Sequence, residues 1–185
     1  MLHSISFIGG GVMAEAMIGG LLNRQIVTPN NITVSEPRDK RRAELATRYS
    51  IHTTNDNRQA ARAGAIIVFA IKPQVLARVL PELKGALRDE QLVISIIAGG
   101  RIATLSEGLA HNAIVRAMPN TPAQIGEGLT VWTTTANVTD AQRDDARAVF
   151  ESLGKEIFLD EEKYLDMATA VSGTGPTYVF LVLEA

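Results

Sequence analysis

Residues 7–14 read Phe7-Ile8-Gly9-Gly10-Gly11-Val12-Met13-Ala14, the end of an apolar run, a glycine turn and the start of a helical pattern. The spacing is Gly-x-Gly-x-x-Ala, which is typical of a strand-turn-helix unit that binds the diphosphate of a dinucleotide. Gly9 is expected to permit the tight turn, Gly11 to let the backbone approach the diphosphate, and Ala14 to pack against the strand. The anion would lie on the helix N-terminus, where free amides favour negative charge. A plain glycine turn is the alternative, because the motif alone is a weak signal.

Short runs rich in Ile and Val recur along the chain, separated by segments of helical periodicity. The predicted strands are 4–8, 32–35, 65–71, 92–98, 113–118, 129–134 and 156–159, and the predicted helices are 12–24, 38–49, 57–62, 73–87 and 139–153. Alternation of strands and helices indicates parallel strands with crossover helices. The middle runs are continuously apolar, as expected of strands covered on both faces. The sequence therefore predicts an α/β fold with a Rossmann-type, doubly wound, mostly parallel sheet.

Composition narrows the class of protein and its partners. The chain has 185 residues with 18 basic and 20 acidic side chains, a net charge of -2 and no cysteine. Interspersed charges argue against a nucleic-acid partner and favour a small molecule. The lack of cysteine excludes disulfides, thiol catalysis and cysteine-type zinc sites, and no metal is expected. No apolar run approaches the roughly 20 residues of a membrane span, and no signal peptide is expected, so a cytoplasmic location is predicted.

The end of the second predicted strand gives conflicting signals about the nucleotide. Glu36 is expected to accept hydrogen bonds from a ribose 2'-hydroxyl, which favours NAD. Ser35, with one or two of the cations Arg38, Lys40, Arg41 and Arg42, is equally suited to the 2'-phosphate of NADP. For Arg41 and Arg42 the simpler interpretation is the solvated first turn of a helix.

Three further loops follow predicted strands, at the edge where an open parallel sheet binds its ligand. They are 70–73, 98–100 and 118–122. Asn120 lies between two prolines, and its side chain can both donate to and accept from the carboxamide of a nicotinamide ring. The alternative is that Asn120 satisfies the backbone of its own turn. Lys72 is interpreted either as a cofactor contact or as a solvated lysine.

Five stretches together resemble the pyrroline-5-carboxylate reductase family. They are the glycine turn 7–14, Ala70-Ile71-Lys72-Pro73-Gln74, Ser95-Ile96-Ile97-Ala98-Gly99-Gly100, Val115-Arg116-Ala117-Met118-Pro119-Asn120-Thr121-Pro122, and Val171-Ser172-Gly173-Thr174-Gly175-Pro176-Thr177-Tyr178-Val179-Phe180. The last two are the most specific. The resemblance implies reduction of L-1-pyrroline-5-carboxylate to L-proline with NAD(P)H, the last step of proline biosynthesis. NADPH is favoured by the resemblance, whereas Glu36 leaves NADH open.

The resemblance also assigns residues to the parts of the site. The adenosine and diphosphate would be held by Gly9, Gly10, Gly11, Val12, Met13, Ala14, Ser35 and Asn57. The residue pattern after the second predicted strand adds Glu36 and Arg38 as candidate cofactor contacts, and Glu36 departs from the uncharged residue that NADP-preferring members of the family often carry there. The nicotinamide would be flanked by Ala70, Lys72, Pro73, Ala98 and Asn120. The substrate would be approached by Ser172, Gly173, Thr174 and Gly175, with the catalytic group itself unassigned; Thr174, Tyr178 and water are candidate proton donors.

The resemblance further implies a division into an NAD(P)-binding domain, residues 1–160, and the beginning of a helical dimerisation and substrate domain, residues 161–185. In the family that domain continues for about eighty residues and builds a homo-oligomer from dimers, so the chain is expected to be truncated, and it is open whether it catalyses or only binds cofactor. Three alternatives are a related beta-hydroxyacid dehydrogenase, a deazaflavin-linked dehydrogenase, and a non-catalytic dinucleotide-binding module.

Overall fold

The computed structural model describes residues 2–173 and 175–184, and one eight-stranded sheet organises them. The strands are β1 Ile5–Ile8, β2 Ile32–Ser35, β3 His52–Thr54, β4 Ile66–Phe69, β5 Leu92–Ser95, β6 Ile114–Pro119, β7 Gly128–Thr134 and β8 Gly154–Phe158. Their order is β3-β2-β1-β4-β5-β6-β7-β8, and the pairings are parallel except for β6 with β7. Strands β2 and β3 therefore lie on one side of β1, and β4 to β8 lie on the other, which confirms the doubly wound fold.

The helices are α1 Val12–Asn23, α2 Asp39–Tyr49, α3 Asn57–Ala63, α4 Pro73–Leu83, α5 Ile102–Leu109, α6 Asp140–Glu151, α7 Lys163–Ala168 and α8 Gly175–Glu184. Local sequence explains where several of them begin. The Asp56 side chain accepts hydrogen bonds from two backbone amides at the start of α3, and Thr139 forms a capping box with Gln142 at the start of α6. Pro73 occupies the first turn of α4, where its missing N-H costs nothing.

The core lies on both faces of the sheet. Phe7 and Ile8 are adjacent on β1 and both fully buried, yet they belong to two separate hydrophobic clusters. Successive side chains of a strand point to opposite faces, so both sets of side chains on a central strand are buried and mostly apolar. This is why β4 reads as a continuous apolar segment, whereas Ser6 of β1, Ser95 of β5 and Arg116 of β6 are buried polar exceptions.

Several element boundaries differ from the sequence predictions. The strands predicted as 65–71 and 92–98 end at Phe69 and Ser95, and the helix predicted as 73–87 ends at Leu83. Apolar residues beyond these ends are loop residues that pack on the core, which hydrophobicity alone does not distinguish from strand. The short strand β3 and the helices α5 and α7 were not predicted, because they are too short to show a clear period.

The far edge of the sheet is held by an aromatic cluster on β7, β8 and α6. Trp132 is 1% exposed, and its ring lies 5.5 Å from that of Phe150 and 4.8 Å from that of Phe158. The indole N-H donates to the Glu156 carboxylate. Trp132 thus joins β7 to α6 and to β8.

After β8 the described chain is helical. Helix α7 runs into a π-helical turn, Thr169–Gly173, and α8 follows. On α8 the apolar side chains from Tyr178 to Leu183 are all more than half exposed. Among the described residues no helix is both long and apolar enough to cross a bilayer.

Candidate functional site

The site is built on the edge of the sheet where the parallel strands end. Backbone hydrogen bonds continue past the strands there: Gly9 N-H donates to Ser35 O at 2.8 Å, Ala70 N-H to Ile8 O at 2.9 Å, and Ile96 N-H to Phe69 O at 3.2 Å. The loops after β1, β2, β4 and β5 are therefore held side by side. This is the crevice in which open α/β sheets bind ligands.

Gly9 is required by the backbone conformation of the turn. Its φ is +99°, in the region that side chains disfavour, and an added Cβ would lie 2.7 Å from the carbonyl oxygen of Ala70. Both facts exclude any larger residue without movement of the loop after β4.

Gly11 lies at the N-terminus of α1 and faces open space. Its φ of -71° and ψ of -176° are ordinary for any residue, and an added Cβ would meet no atom within 4 Å. No side chain caps this helix end, so first-turn amides are left without an intrahelical acceptor. The open space and these amides fit the diphosphate of a dinucleotide. Ala14, one turn later, is fully buried, whereas Val12 is exposed.

Glu36 points inward, into the glycine turn. It is 4% exposed and accepts hydrogen bonds from Gly10 N-H at 3.1 Å, Arg38 N-H at 3.1 Å and Arg38 Nε at 2.8 Å. Burial alone would raise the pKa of the Glu36 carboxyl, but the hydrogen bonds from Arg38 and Gly10 outweigh it and the pKa lies below its ordinary value. Glu36 is therefore a charged, buried carboxylate that bonds the turn directly.

The interpretation of Arg41 and Arg42 as solvated is wrong, since their side chains are 18% and 19% exposed. Arg41 Nε donates to Gly10 O at 2.8 Å, and Arg42 Nη1 donates to Glu36 O at 2.7 Å. Arg41 also pairs with Glu15 of α1 at 2.5 Å. Charged side chains in the first turn of a helix are usually solvated, but these two bind backbone carbonyls in and near the glycine turn.

The Glu36 carboxylate predicts a pH dependence of stability. A folded pKa below the ordinary 4.5 means that its contribution is complete above pH 4.5 and is lost as the pH falls through the folded value. We expect Glu36→Gln to lower the free energy of unfolding at pH 7, and this difference from the parent to shrink below about pH 4.5. Urea unfolding of both proteins at a series of pH values measures it. A difference that persists unchanged in acid would contradict the contribution of the charge.

The structure brings Ser35 and Asn57 together beside the turn. Ser35 Oγ donates to Asn57 Oδ1 at 2.7 Å, and Asn57 Nδ2 donates to Glu82 at 2.7 Å. Arg38 and Lys40, which follow Ser35 in the chain, are exposed. Two of the residues predicted for the adenosine end, Ser35 and Asn57, are thus in direct contact.

The residues predicted for the nicotinamide end lie in the loops after β4, β5 and β6. Ala70 follows β4 directly, Lys72 is the exposed residue before α4, and Ala98 is exposed after β5. Asn120 Oδ1 accepts a hydrogen bond from Leu129 N-H at 2.9 Å, which ties the loop to β7. This contact is to a strand nine residues along the chain, so both predicted roles of Asn120, a carboxamide contact and a bond to its own turn, stay predictions.

The predicted substrate-side residues are only partly described. Ser172 and Gly173 lie in the π-helical turn and Gly175 begins α8, whereas Thr174 lies outside the described residues. Within the described part of the chain, no cluster of His, Asp or Glu side chains is suited to a metal ion.

A buried arginine that sequence reasoning did not assign connects the sheet to this C-terminal segment. Arg116 of β6 is 3% exposed and pairs with Glu162 at 2.8 Å and with Asp166 of α7 at 2.6 Å. Glu162 also accepts from Ile102 N-H, the first amide of α5, at 2.8 Å. The sequence signal was an arginine inside an otherwise apolar strand, which requires a buried partner.

The sequence of the chain matches a known protein family and known reductases. Residues 4–99 match the family described as NADP oxidoreductase coenzyme F420-dependent. Over 185 residues, all of this chain and 68% of the relative, 41% of positions are identical to pyrroline-5-carboxylate reductase of Synechocystis. The chain belongs to the pyrroline-5-carboxylate reductase family. The resemblance inferred from the motifs is confirmed.

Solved structures of pyrroline-5-carboxylate reductases superpose on the chain. The enzyme of Coxiella burnetii has a TM-score of 0.91 at 34% identity, covering 100% of this chain and 68% of that one. That of Plasmodium falciparum, solved with NADP bound, has a TM-score of 0.85 at 34% identity, covering 98% and 66%. The chain thus spans about two thirds of the length of these reductases and belongs to an NAD(P)H-dependent oxidoreductase family.

Proposed function

We propose that this protein takes part in the reduction of L-1-pyrroline-5-carboxylate to L-proline, with NAD(P)H bound at the crevice formed by the loops after β1, β2, β4 and β5. Membership of the reductase family supports the reaction. The observation that carries the cofactor site is the open space at Gly11, because it adjoins an uncapped helix N-terminus at the carboxyl ends of parallel strands.

The bound nicotinamide supplies the hydride, and the chain contributes binding, orientation and exclusion of water. The first-turn amides of α1 would hold the diphosphate beside Gly11. Ser35 and Asn57, with the exposed Arg38 and Lys40, would hold the adenosine end. Ala70, Lys72, Pro73, Ala98 and Asn120 would line the nicotinamide end.

We assign residues 1–160 to the cofactor domain and residues 161–185 to the start of the substrate domain. The segment with Ser172, Gly173, Thr174 and Gly175 would approach the substrate. We further propose that the whole protein is cytoplasmic and forms homo-oligomers built on dimers; the exposed apolar side chains of α8 support burial against further protein.

The decisive experiment measures NADPH and NADH oxidation by the protein in the presence of L-1-pyrroline-5-carboxylate. We expect imine-dependent oxidation and formation of proline. No turnover with either cofactor, by a chain that extends through the whole reading frame, would overturn the proposed reaction.

Calorimetry on residues 1–185 separates the cofactor site from the complete reaction. We expect NADPH to bind to this chain whether or not it turns over the imine. Absence of binding by a folded sample would contradict the placement of the cofactor at the glycine turn.

A further inference from the structure

The backbone N-H and the backbone C=O of Gly10 are both hydrogen-bonded to side chains from the segment after β2. Gly10 N-H donates to Glu36 Oε2 at 3.1 Å, and Gly10 O accepts from Arg41 Nε at 2.8 Å. The neighbouring Gly9 amide is fixed by Ser35 O at 2.8 Å. The backbone of the turn is therefore bound on both sides of Gly10 by side chains and backbone of the same chain.

The absence of a side chain at Gly10 allows this approach. An added Cβ would lie 2.8 Å from Leu45 Cδ1 and 3.3 Å from both Glu36 Cβ and Val34 Cγ1. Helix α2 and the end of β2 thus pack directly over the turn. A larger residue at position 10 would have to displace the end of the Leu45 side chain and would crowd Glu36, one of the two side chains that bond the turn.

Each of the two side chains is itself supported. Glu36 receives two further hydrogen bonds from Arg38, at 3.1 and 2.8 Å. Arg41 is paired at 2.5 Å with Glu15, whose other oxygen accepts from Arg48 at 2.8 Å and Tyr49 at 3.1 Å. Charge-assisted bonds of this kind are stronger than neutral ones.

We propose that Glu36 and Arg41 are positioning residues for the glycine turn, and that Glu36 acts on cofactor affinity through Gly10 and does not read the adenosine ribose. This inference rests on the proposed cofactor site. The carboxylate is 4% exposed and already accepts three hydrogen bonds. Loss of the Glu36 carboxylate removes a hydrogen bond that fixes the glycine turn. Because the turn binds the diphosphate, which NADH and NADPH share, we expect the affinities for both cofactors to fall together.

The test compares dissociation constants of NADPH and NADH for the full chain and for Glu36→Ala. Because the lost hydrogen bonds involve a charged group, we expect both affinities to fall by about tenfold, with their ratio unchanged. Glu36→Gln keeps an oxygen that can accept a hydrogen bond from Gly10, so its affinities for NADPH and NADH are expected to lie between those of the parent and of Glu36→Ala.

Arg41→Met is expected to lower the affinities for NADPH and NADH by the same factor, and Arg41→Lys is expected to recover part of each. Arg147→Met, an arginine of α6 paired with Asp144, is the matched control and should change neither.

A ribose-reading Glu36 gives a different result. Loss of its carboxylate would weaken NADH alone, leave NADPH unchanged or tighter, and shift the ratio, which would overturn the proposal.

Amide hydrogen exchange in the ligand-free chain supplies a readout that does not depend on the cofactor. We expect the Gly10 amide to exchange faster in Glu36→Ala than in the parent, with Glu36→Gln between them. Unchanged exchange would overturn the positioning role. Failure of the parent to bind either cofactor, with the exchange result as expected, would refute the proposed function and leave the positioning role standing.

Discussion

Gly11→Val is expected to weaken NADPH and NADH binding by about 100-fold, or ~2.7 kcal/mol, while the free energy of unfolding stays nearly unchanged. The backbone at Gly11 has a conformation that valine adopts readily, and no atom of the protein lies within 4 Å of the added Cβ. The branched side chain would instead occupy the space assigned to the diphosphate. Calorimetric titration and urea unfolding measure the two quantities.

A matched control is available on the same helix. Gly19 of α1 has only the Tyr49 hydroxyl, at 3.9 Å, near its added Cβ. Gly19→Ala is expected to stabilise the helix by about 0.5 to 1 kcal/mol and leave both dissociation constants unchanged. Parent-like affinity in Gly11→Val would show that the diphosphate binds elsewhere.

Trp132→Ala is expected to lower the free energy of unfolding by about 3 to 5 kcal/mol, since it leaves a large cavity between β7, β8 and α6. A domain of this kind is stable by only about 5 to 15 kcal/mol, so the loss is a large share of the total. Trp132 is 1% exposed and contacts Phe150 and Phe158. Urea unfolding at neutral pH gives the change.

Trp132→Phe is the matched variant, because it keeps a ring in the cluster and loses the indole bond to Glu156. Its cost should be clearly smaller than that of the alanine variant. The folded alanine variant should bind NADPH like the parent, since β7 is separated in the sheet from β1, the strand that leads into the glycine turn, by β4, β5 and β6. A destabilisation below about 1 kcal/mol would show that the far edge repacks without the indole.

Much of the fold was predictable because its signals are local. The continuous apolar run of β4 and the Gly-x-Gly-x-x-Ala spacing each depend on residues close together in the chain. The antiparallel pairing of β7 with β6 depends instead on the arrangement of the whole sheet, because β7 adds at the edge that β6 leaves unpaired. The short β3 is recognisable mainly by its parallel pairing with β2.

The candidate site was predictable as a set of loops, but the contacts of its charged residues were not. Arg41 lies 31 positions from the Gly10 carbonyl that it binds, and Glu36 lies 26 positions from the Gly10 amide. The periodicity of the sequence carries no information about contacts between residues so far apart in the chain. A carboxylate after β2 is also compatible with ribose recognition, and only the packing of α2 over Gly10 shows where its oxygens point.

The ion pairs that Arg116 forms with Glu162 and Asp166 limit how the sheet can be joined to a different helical segment in a chimera. Its cation belongs to the sheet, whereas its anions come from Glu162 and from Asp166 on α7. A chimera that joined this sheet to a foreign helical segment without both carboxylates would leave a buried guanidinium uncompensated. A chimera whose boundary is placed after Asp166 keeps all three charges together, so it is expected to be more stable than one whose boundary is placed before Glu162.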